Sequence, residues 1–390
     1  MYKIQTFNQI SDKGLSRFPR QEYQVASDVS NADAILVRSH KLGAEHINPN
    51  LKAVARAGAG FNNIPVEDYT RQGVVVFNTP GANANAVKEL VLCGLLLASR
   101  GVLQGVNWVN NISPNLNPAE LNQLIEEEKK HFKGSELAGK TIGVVGLGAI
   151  GARVAEAAIQ LGMTVLGYDP AISVDAAWRL ANQVEKQENL TSLISRSDFV
   201  TLHLPVLENT RNLIDRKIIN YFKTGAVLLN FSREAIVDNS ALLEGLNSGR
   251  LSNYVSDFPT REILGHPKTI LMPHIGASTD EAEDNCAMMA VDQLREFLEN
   301  GNIRNSVNFP NLALERSPGT SRIAIINQNV PGMLGQILSI LAERDINVID
   351  MLNKSRSDVA YNLIDIEGPS SDDTIKDICA IEHVIKAWSI

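Results

Sequence analysis

Three side chains that together could move a proton and hold a carboxylate follow predicted strands. Arg233 comes after the apolar run 226–230, Glu262 follows the run 253–257, and His274 follows the run 269–272. A histidine titrates near neutral pH, a neighbouring carboxylate raises its pKa, and an arginine can grip a carboxylate at two points. Taken singly, these residues are typical of a surface ion pair, a solvated loop charge and a strand-end cap. Taken together, they suit a 2-hydroxy acid that loses a hydride to an acceptor bound beside them.

A glycine-rich turn indicates what that acceptor is. Gly146, Gly148 and Gly151 form the pattern G-x-G-x-x-G between the apolar run 141–145 and apolar residues at helical spacing. Any tight strand-to-helix turn favours glycine, but here a second strand follows and ends at Asp169. Such a turn lets the backbone approach a pyrophosphate at a helix N-terminus, and the carboxylate binds a ribose diol and repels a 2′-phosphate. The pattern predicts that the chain binds NAD rather than NADP.

Alternating strands and helices must position these groups. The predicted buried strands include 34–38, 51–56, 74–78, 199–204, 226–230, 253–257 and 269–272, with helical stretches between them. Such alternation is typical of parallel sheets that carry helices on both faces and bind ligands at the carboxyl ends of their strands. We therefore expect an α/β fold with two Rossmann-like or flavodoxin-like domains.

The last seventy residues have a different order. Strand, helix, two strands, helix and strand are predicted in residues 320–390, which is the ferredoxin-like βαββαβ arrangement, after a linker at Glu315–Thr320. A long helix, Asp280–Asn300, is expected to return the chain to its first domain. The predicted domains are a discontinuous substrate-binding domain (1–100 and 284–312), a dinucleotide-binding domain (101–283) and a regulatory domain (320–390).

Composition argues against several classes of partner. The 390 residues carry a net charge of −8 without long basic runs, which disfavours binding to nucleic acid or to an anionic membrane. The three cysteines are far apart and match no metal-ligand spacing, so we expect free thiols, no metal and a cytoplasmic location.

These motifs resemble one family over essentially the whole chain. The chain is similar to D-isomer-specific 2-hydroxyacid dehydrogenases, and within them to the short, phosphoglycerate-oxidising type with a C-terminal ACT domain. The matching segments are Arg56–Gly60, Asn78–Gly81, Gly146–Gly151, His203–Pro205, Asn230–Arg233, Pro273–Thr279 and Asn305–Asn308. The pattern Pro-His-Ile-Gly-Ala-Ser-Thr with a preceding Arg and Glu is specific to this superfamily.

The resemblance implies a role for each site residue. His274 is the acid and base, Glu262 its carboxylate partner and Arg233 the substrate clamp. The residues implied to line the NAD site are Thr79, Gly146, Gly148, Ala149, Ile150, Gly151, Asp169, Leu204, Pro205, Phe231, Ser232, Arg233, Asp257, His274, Gly276 and Ala277. The chain departs from the family pattern after Glu262, where Ile263 replaces the usual proline and His274 follows after a shorter segment, so the register of the glutamate stays open.

Cations at two strand ends point to a phosphorylated substrate. Arg38 and Ser39 end one strand, and Arg56, Ala57 and Gly58 end another, so that guanidinium groups and open backbone amides are available to a phosphate. With Arg233 and His274 they are the expected substrate-binding residues, in a cleft between the two large domains. The alternative is that the Arg56 turn is structural and binds only a carboxylate.

Three functions remain open at this stage. The first is NAD-dependent oxidation of 3-phospho-D-glycerate to 3-phosphohydroxypyruvate, which begins L-serine biosynthesis. The second keeps the mechanism with another substrate, such as glyoxylate, hydroxypyruvate, lactate or 2-oxoglutarate. The third is an NAD-sensing, corepressor-like binding protein.

The C-terminal region resembles an ACT domain that binds an amino acid, often serine. Asn329, in the turn 327–334, and Asn347 are the candidate effector ligands, because an amide can bind both a carboxylate and an ammonium group. The alternatives are an ordinary turn that begins a helix and a surface that pairs ACT sheets between subunits. Asn327 stands where the family often has a histidine. The resemblance also implies a homodimer or homotetramer.

Overall fold

The computed structural model describes residues 1–390, apart from the side chain of Asp175. The chain forms two compact units. Unit 1 comprises Met1–Asn83 together with Thr279–Ile390, and unit 2 comprises Ala84–Ser278.

The amino-terminal part of unit 1 is a five-stranded parallel sheet in the order β2-β1-β3-β4-β5. Its elements are β1 (Tyr2–Phe7), α1 (Asp12–Leu15), β2 (Tyr23–Ala26), β3 (Ala34–Val37), a 3₁₀ helix (Ala44–His46), β4 (Ala53–Arg56), α2 (Val66–Arg71) and β5 (Val75–Phe77). All four residues of β3 are buried, as expected for a parallel strand that is covered on both faces.

Unit 2 contains a seven-stranded parallel sheet in the order β12-β11-β10-β9-β6-β7-β8. Its helices are α3 (Ala84–Ser99), α4 (Val102–Asn110), α5 (Pro118–Glu128), α6 (Ala149–Gln160), α7 (Val174–Ala177), α8 (Leu190–Arg196), α9 (Arg216–Ile219) and α10 (Asn239–Asn247). Its strands are β6 (Thr141–Val145), β7 (Thr164–Tyr168), β8 (Glu185–Lys186), β9 (Phe199–Leu202), β10 (Ala226–Asn230), β11 (Leu251–Ser256) and β12 (Thr269–Leu271). Short 3₁₀ helices cover Lys129–Phe132, Glu234–Ile236 and Arg261–Ile263.

Helix α3 belongs to unit 2, whereas the sequence placed its residues in the first domain. Val87, Val91 and Leu95 of this helix share a buried core with Val144 of β6 and Val154 of α6. The apolar face of α3 therefore packs on the sheet of unit 2, which places the division before residue 84 rather than near residue 100. The three-domain division itself stays a prediction.

The chain returns to unit 1 through helix α11 (Asp280–Asn300), which has the predicted bounds. The hydroxyl of Thr279 caps its first turn by accepting a hydrogen bond from the Ala282 amide (3.1 Å), and Gly301 ends it with a φ of +74°. The elements that follow are β13 (Thr320–Gln328), α12 (Met333–Glu343), β14 (Val348–Arg356), β15 (Val359–Glu367), α13 (Asp372–Ala380) and β16 (Val384–Ser389).

These last elements form an antiparallel sheet in the order β14-β15-β13-β16, which is the ferredoxin-like order. The predicted α/β fold, with two parallel-sheet domains and a small C-terminal antiparallel sheet, is confirmed. None of the helices among the described residues is both long enough and apolar enough to cross a membrane.

The C-terminal sheet packs on the first sheet within unit 1. Ala324, Ile326 and Tyr361 lie in the same buried core as Phe77 and Phe297. A wholly buried ion pair lies beside this contact, in which the Arg322 guanidinium donates to both carboxylate oxygens of Asp365 at 2.6 and 2.8 Å.

The same guanidinium holds the segment that enters the C-terminal sheet. One Nη of Arg322 donates to the carbonyl groups of Asn300 and Leu314, each at 2.9 Å, and the other donates to Glu315 at 3.2 Å. The predicted linker Glu315–Thr320 therefore begins at residues that are bound to a buried charge. Removing one partner of such a buried pair typically costs about 3–5 kcal/mol.

Candidate active site

The glycine-rich loop connects β6 to α6, and two of its glycines are required by close packing. Gly146 has a φ of +90°, and a Cβ there would lie 2.4 Å from the carbonyl oxygen of His203. A Cβ on Gly151 would lie 1.9 Å from the carbonyl oxygen of Gly146. Gly148 differs, because a Cβ there would meet nothing within 4 Å. Gly148 therefore borders open space at the N-terminus of α6, where Ala149 and Ile150 begin the helix and where an anion is stabilised.

Asp169 lies beside this loop, immediately after β7. One of its carboxylate oxygens accepts a hydrogen bond from the backbone amide of Leu147 (2.8 Å), and the other accepts from Ala171 (3.0 Å). The carboxylate is partly exposed. Its position next to the glycine turn is the one expected for a group that binds a ribose diol.

Buried hydrogen bonds shape the turn after β10 that carries Arg233. The Asn230 side chain is fully buried, donates to the carbonyl of Arg233 (2.9 Å) and accepts from the amide of Ser232 (3.1 Å). The Ser232 hydroxyl in turn donates to the carbonyl of Leu202 (2.7 Å) and accepts from the amide of Leu204 (2.9 Å). These bonds join the ends of β9 and β10, where Pro205 and Phe231 also lie.

Asp257 fixes the loop that carries His274. The carboxylate is 3% exposed and accepts hydrogen bonds from the amides of Ile275 (2.8 Å) and Gly276 (2.7 Å). His274 itself has a φ of +58°, which is uncommon for a residue other than glycine and is typical of functional positions. Both oxygens of Asp257 are thus engaged by the backbone on the carboxyl side of His274, just before Ala277.

Phe258 brings Arg233 and His274 to a single aromatic ring. The centroids of the Phe258 and His274 rings are 4.7 Å apart, at an interplanar angle of 50°. The guanidinium carbon of Arg233 lies 5.4 Å from the centroid of the Phe258 ring. Phe258 is 8% exposed, whereas Arg233 and His274 are exposed. Both polar groups, at the carboxyl ends of β10 and β12, therefore contact the same ring.

Glu262 is bonded to Asn239 rather than to His274. It lies in the 3₁₀ helix Arg261–Ile263, and its carboxylate accepts a hydrogen bond from the Asn239 amide (3.2 Å). A hydrogen bond from its own backbone amide, and a smaller contribution from the Thr260 hydroxyl, lower the pKa of Glu262. Within the described part of the chain, no hydrogen bond or ion pair joins Glu262 to His274. Its catalytic role stays a prediction.

A second histidine, His203, lies at the carboxyl end of β9 next to the glycine loop. Its Nε2 atom is 2.9 Å from the Thr201 hydroxyl, and among the described residues its buried Nδ1 atom has no hydrogen-bond partner. Burial lowers the pKa of His203 to about 3, so the ring is neutral at physiological pH. It is a structural histidine, in contrast to the exposed ring of His274.

In unit 1, the two arginines predicted to bind substrate have different surroundings. Arg38, after β3, forms an ion pair with Glu283 of α11, and each side chain is 39% exposed. Arg56, at the end of β4, donates to the Gly60 carbonyl (2.7 Å), and its guanidinium lies across Gly58, where a Cβ would be 2.4 Å from Nη1.

Backbone contacts hold the residues next to these arginines. The Ser39 amide donates to the side-chain oxygen of Asn8 (2.9 Å), and Ala57 is almost fully buried. Thr79, predicted as an NAD contact, is buried in unit 1, and its amide donates to the Gly58 carbonyl (3.1 Å).

The two candidate effector residues lie at opposite ends of the C-terminal sheet. Asn329 follows the end of β13 and donates to the Ser357 carbonyl (3.1 Å), whereas Asn347 precedes β14 and donates to Glu367 (3.2 Å). The register pairs Gln328 with Val359 at one end and Val348 with Ile366 near the other. Within one chain a small ligand cannot contact both asparagines, since it cannot span a nine-residue strand, and their role as effector ligands stays a prediction.

Metal and thiol chemistry depend on the possible metal ligands and on the three cysteines, which were expected to be free thiols. Among the described residues, no group of three or more His, Cys, Asp or Glu side chains is arranged to hold a metal ion. Cys93 and Cys379 are exposed free thiols and Cys286 is a buried one.

Comparison with known proteins identifies the family. Residues 103–276 match the model of the NAD-binding domain of D-isomer specific 2-hydroxyacid dehydrogenases. A D-3-phosphoglycerate dehydrogenase of Dictyostelium discoideum is 30% identical over 98% of this chain and 96% of its own length. The chain belongs to the D-isomer specific 2-hydroxyacid dehydrogenase family. The predictions of this family, of an NAD-dependent oxidoreductase and of NAD as its cofactor are confirmed.

Two further relatives agree with this assignment. A D-3-phosphoglycerate dehydrogenase of Methanocaldococcus jannaschii is 32% identical over 84% of this chain, but the matched part is 61% of that protein's length. The crystal structure of NAD⁺-bound 3-phosphoglycerate dehydrogenase from Entamoeba histolytica superposes with a TM-score of 0.61 at 26% identity, and covers 79% of this chain and 98% of that chain.

The sequence-based analysis missed two residues of this site. Asn230 and Phe258 hold Arg233 and His274. A phenylalanine next to a strand is common in any buried sheet, so the one signal for Phe258 was its position at a strand end. Asn230 was named only as part of the segment Asn230–Arg233, without a role of its own.

Proposed function

We propose that this chain oxidises 3-phospho-D-glycerate to 3-phosphohydroxypyruvate with NAD, the first step of L-serine biosynthesis. The observation that carries the proposal is the placement of Arg233 and His274 on the Phe258 ring, at the carboxyl edge of the sheet in the NAD-binding domain. The curated relatives named above, which carry the name D-3-phosphoglycerate dehydrogenase, support this substrate.

The residues present fit NAD. The open space at Gly148 lets a pyrophosphate approach the amides at the start of α6, and Asp169 can accept hydrogen bonds from a ribose diol. NAD, when bound, supplies the acceptor for the hydride that leaves the substrate carbon. The other NAD-binding residues named from the family resemblance remain part of this proposal.

Arg233 and His274 divide the work on the hydroxy acid. Arg233 pairs with the substrate carboxylate, which fixes the carbon that bears the hydroxyl group. His274 accepts the hydroxyl proton as the hydride departs, so that the alcohol carbon becomes a carbonyl and His274 becomes an imidazolium. Glu262 is proposed to stabilise that imidazolium after its side chain turns from Asn239 towards His274.

The residues of unit 1 are proposed to bind the phosphate. Arg38 and Arg56 contribute positive charge. The expected open backbone amides are not found, because those of Ser39, Ala57 and Gly58 already donate to Asn8, Val37 and Arg56, so we assign the phosphate to the two guanidinium groups. The ion pair between Arg38 and Glu283 would then open when a phosphate competes for Arg38.

The same ion pair favours a second candidate function. A carboxylate beside Arg38 repels a phosphate dianion, which fits a substrate without phosphate, such as another D-2-hydroxy acid or its 2-oxo acid. On that reading Arg38 could be replaced without loss of activity.

One assay separates the candidates. NADH formation is followed with D- and L-2-hydroxy acids, with and without a phosphate group, for the wild type and for Arg38→Ala. Oxidation of 3-phospho-D-glycerate that depends on Arg38 supports the proposal, whereas turnover of unphosphorylated acids alone, insensitive to Arg38, supports the second function. Binding of NADH without turnover of any acid would favour an NAD-sensing protein.

Assembly, regulation and location are also proposed from the family resemblance. We infer a homodimer or homotetramer and a cytoplasmic location. Serine is proposed as an effector, and the strand register requires that Asn329 and Asn347 come from two copies of the chain if they contact the same serine.

A further inference from the structure

A buried side chain of α11 is linked to the loop Arg56–Gly60, which is proposed above to bind substrate. The Asn78 amide donates to the carbonyl of Ala59 (2.6 Å) and so fixes the middle of that loop. The Gln293 amide donates to the carbonyl of Asn78 (3.0 Å), from a position 215 residues away in the sequence. Gln293 therefore holds Asn78, which in turn holds the loop Arg56–Gly60.

Both ends of the Gln293 amide are engaged. Its oxygen accepts a hydrogen bond from the side chain of Asn305 (2.9 Å), and Gln293 is only 9% exposed. Asn305 has a φ of +57°, and its backbone amide donates to the side-chain oxygen of Asn311 (3.0 Å). A buried amide that is bonded at both ends keeps one orientation, since losing either bond leaves a buried polar group unpaired.

The far end of this chain of bonds lies on a segment that the C-terminal sheet contacts. Arg356 of β14 donates to the carbonyl groups of Ser306 (3.1 Å) and Phe309 (3.4 Å). Lys354 of the same strand donates to the carbonyl of Asn311 (3.1 Å). Strand β14 thus contacts the backbone that carries Asn305.

We propose that Gln293 is a positioning residue for binding of the hydroxy acid, and that it couples strand β14 to the loop Arg56–Gly60 through Asn305 and Asn78. This inference rests on the proposed role of that loop in substrate binding. The route lies wholly within unit 1 and touches neither His274 nor the glycine-rich loop. It should therefore control the KM for the hydroxy acid rather than the chemical step.

The first test compares Gln293→Met and Gln293→Glu with Asn285→Leu in the full-length protein. Met keeps the volume and loses both hydrogen bonds, whereas Glu keeps the shape but cannot donate to Asn78. Asn285 is an exposed residue of the same helix for which the described structure contains no side-chain hydrogen bond, so it is a matched control.

Both Gln293 variants should raise the KM for 3-phospho-D-glycerate about tenfold, the effect of roughly one to two buried hydrogen bonds. The kcat and the KM for NAD should stay within about twofold of wild type. Hydrogen exchange of the peptide that contains residues 56–60 should be faster in both variants and unchanged in Asn285→Leu. A Met variant with normal KM and normal exchange would show that Gln293 only fills space, and would overturn the proposal.

The second test is a double-mutant cycle between Gln293→Met and Arg356→Ala. Arg356→Ala alone should raise the KM for 3-phospho-D-glycerate about threefold. The KM of the double variant should exceed the KM of Gln293→Met by less than threefold, because both substitutions break one connected network. Arg344→Ala is the control, since Arg344 pairs with Asp377 within the C-terminal region and should combine with Gln293→Met by simple multiplication. Full multiplication of the Arg356 effect would refute the coupling.

The outcomes also separate this inference from the proposed function. If the wild-type protein fails to oxidise 3-phospho-D-glycerate, the proposed substrate is refuted, and the positioning role of Gln293 is then tested with the hydroxy acid that is turned over. If the wild-type protein oxidises 3-phospho-D-glycerate and the Gln293 variants have an unchanged KM, only the positioning role of Gln293 is refuted.

Discussion

The two halves of the seven-stranded sheet in unit 2 hold their functional groups by different means. At the ends of β6, β7 and β9, which we call the loop half, Gly146 packs against the carbonyl of His203, the Asp169 carboxylate is bonded to backbone amides, and the His203 ring is buried. At the ends of β10, β11 and β12, the ring half, the exposed Arg233 and His274 are held against the Phe258 side chain. A backbone-held group has one position, whereas groups held by an aromatic ring can adjust when substrate binds. The first arrangement suits a cofactor that is bound in one way, and the second suits groups that must exchange a proton or release a product.

The largest effect is expected in the ring half, at His274. His274→Ala should lower kcat by roughly a hundredfold or more, because no other group would accept the hydroxyl proton. NADH binding, followed by its fluorescence, should persist since the loop half is unchanged. His131→Ala is the control, because His131 is an exposed histidine of the same unit. Near-normal turnover by His274→Ala would remove this residue from catalysis.

A smaller effect in the loop half is expected at Asp169. Asp169→Ala removes the charge that repels a 2′-phosphate, so the ratio of kcat/KM for NAD to that for NADP should fall about tenfold or more. Asp169→Asn keeps an acceptor for the Leu147 amide, so its ratio should lie between those of wild type and Asp169→Ala. An unchanged cofactor preference in both variants would contradict the assignment of the ribose site.

Phe258 tests the distinction between the halves directly. Phe258→Leu keeps an apolar side chain but loses the ring, so kcat/KM for the hydroxy acid should fall about three- to tenfold as Arg233 and His274 lose their common support. Phe258→Tyr keeps the ring and should stay near wild type. Affinity for NADH should be the same in both variants, and a loss confined to NADH binding would mean that the ring serves the cofactor.

The sequence predicted the loop half better than the ring half, for a physical reason. The constraints on Gly146 and Gly151 act over a few residues, through φ and through contact with the next turn of chain, so they leave a recognisable spacing. The pairing of Phe258 with Arg233 and His274 depends on three strands that meet only in the folded sheet, and a phenylalanine has the same appearance in any core. Arg233 and His274 were predictable from their positions after strands, whereas Asn230, which orients the turn, was recognised only as part of the segment Asn230–Arg233.

Unit 1 shows the same limit more strongly. The bounds of α11 were predicted correctly, yet nothing in the spacing of Asn78 and Gln293 indicates that they meet. The distance between Asn329 and Asn347 within one chain was not predictable for a related reason. Both residue types were suitable, but strand register decides which ends of a sheet adjoin, and register is not visible in a turn motif.

The last expected effect has no bearing on turnover: it concerns the stability of the loop half. Because burial lowers the pKa of His203 to about 3, the folded protein keeps this ring neutral, while the unfolded chain protonates it near the ordinary value of 6.5. Between these two pH values the unfolded state binds more protons than the folded state. The stabilising contribution of the neutral His203 ring is therefore fully present above about pH 6.5. Below that pH the free energy of unfolding falls by about 1.4 kcal/mol per pH unit. His203→Gln removes this titration and keeps a side chain that can bond to Thr201.

Between pH 7 and pH 5, the free energy of unfolding should therefore fall about 2 kcal/mol less in His203→Gln than in wild type. Denaturant unfolding of wild type and His203→Gln at both pH values measures the difference, with His131→Gln as the substitution of an exposed histidine of the same unit. Equal slopes for wild type and His203→Gln would mean that water reaches the His203 ring. The loop half would then not be the rigid, backbone-held region that sets it apart from the ring half.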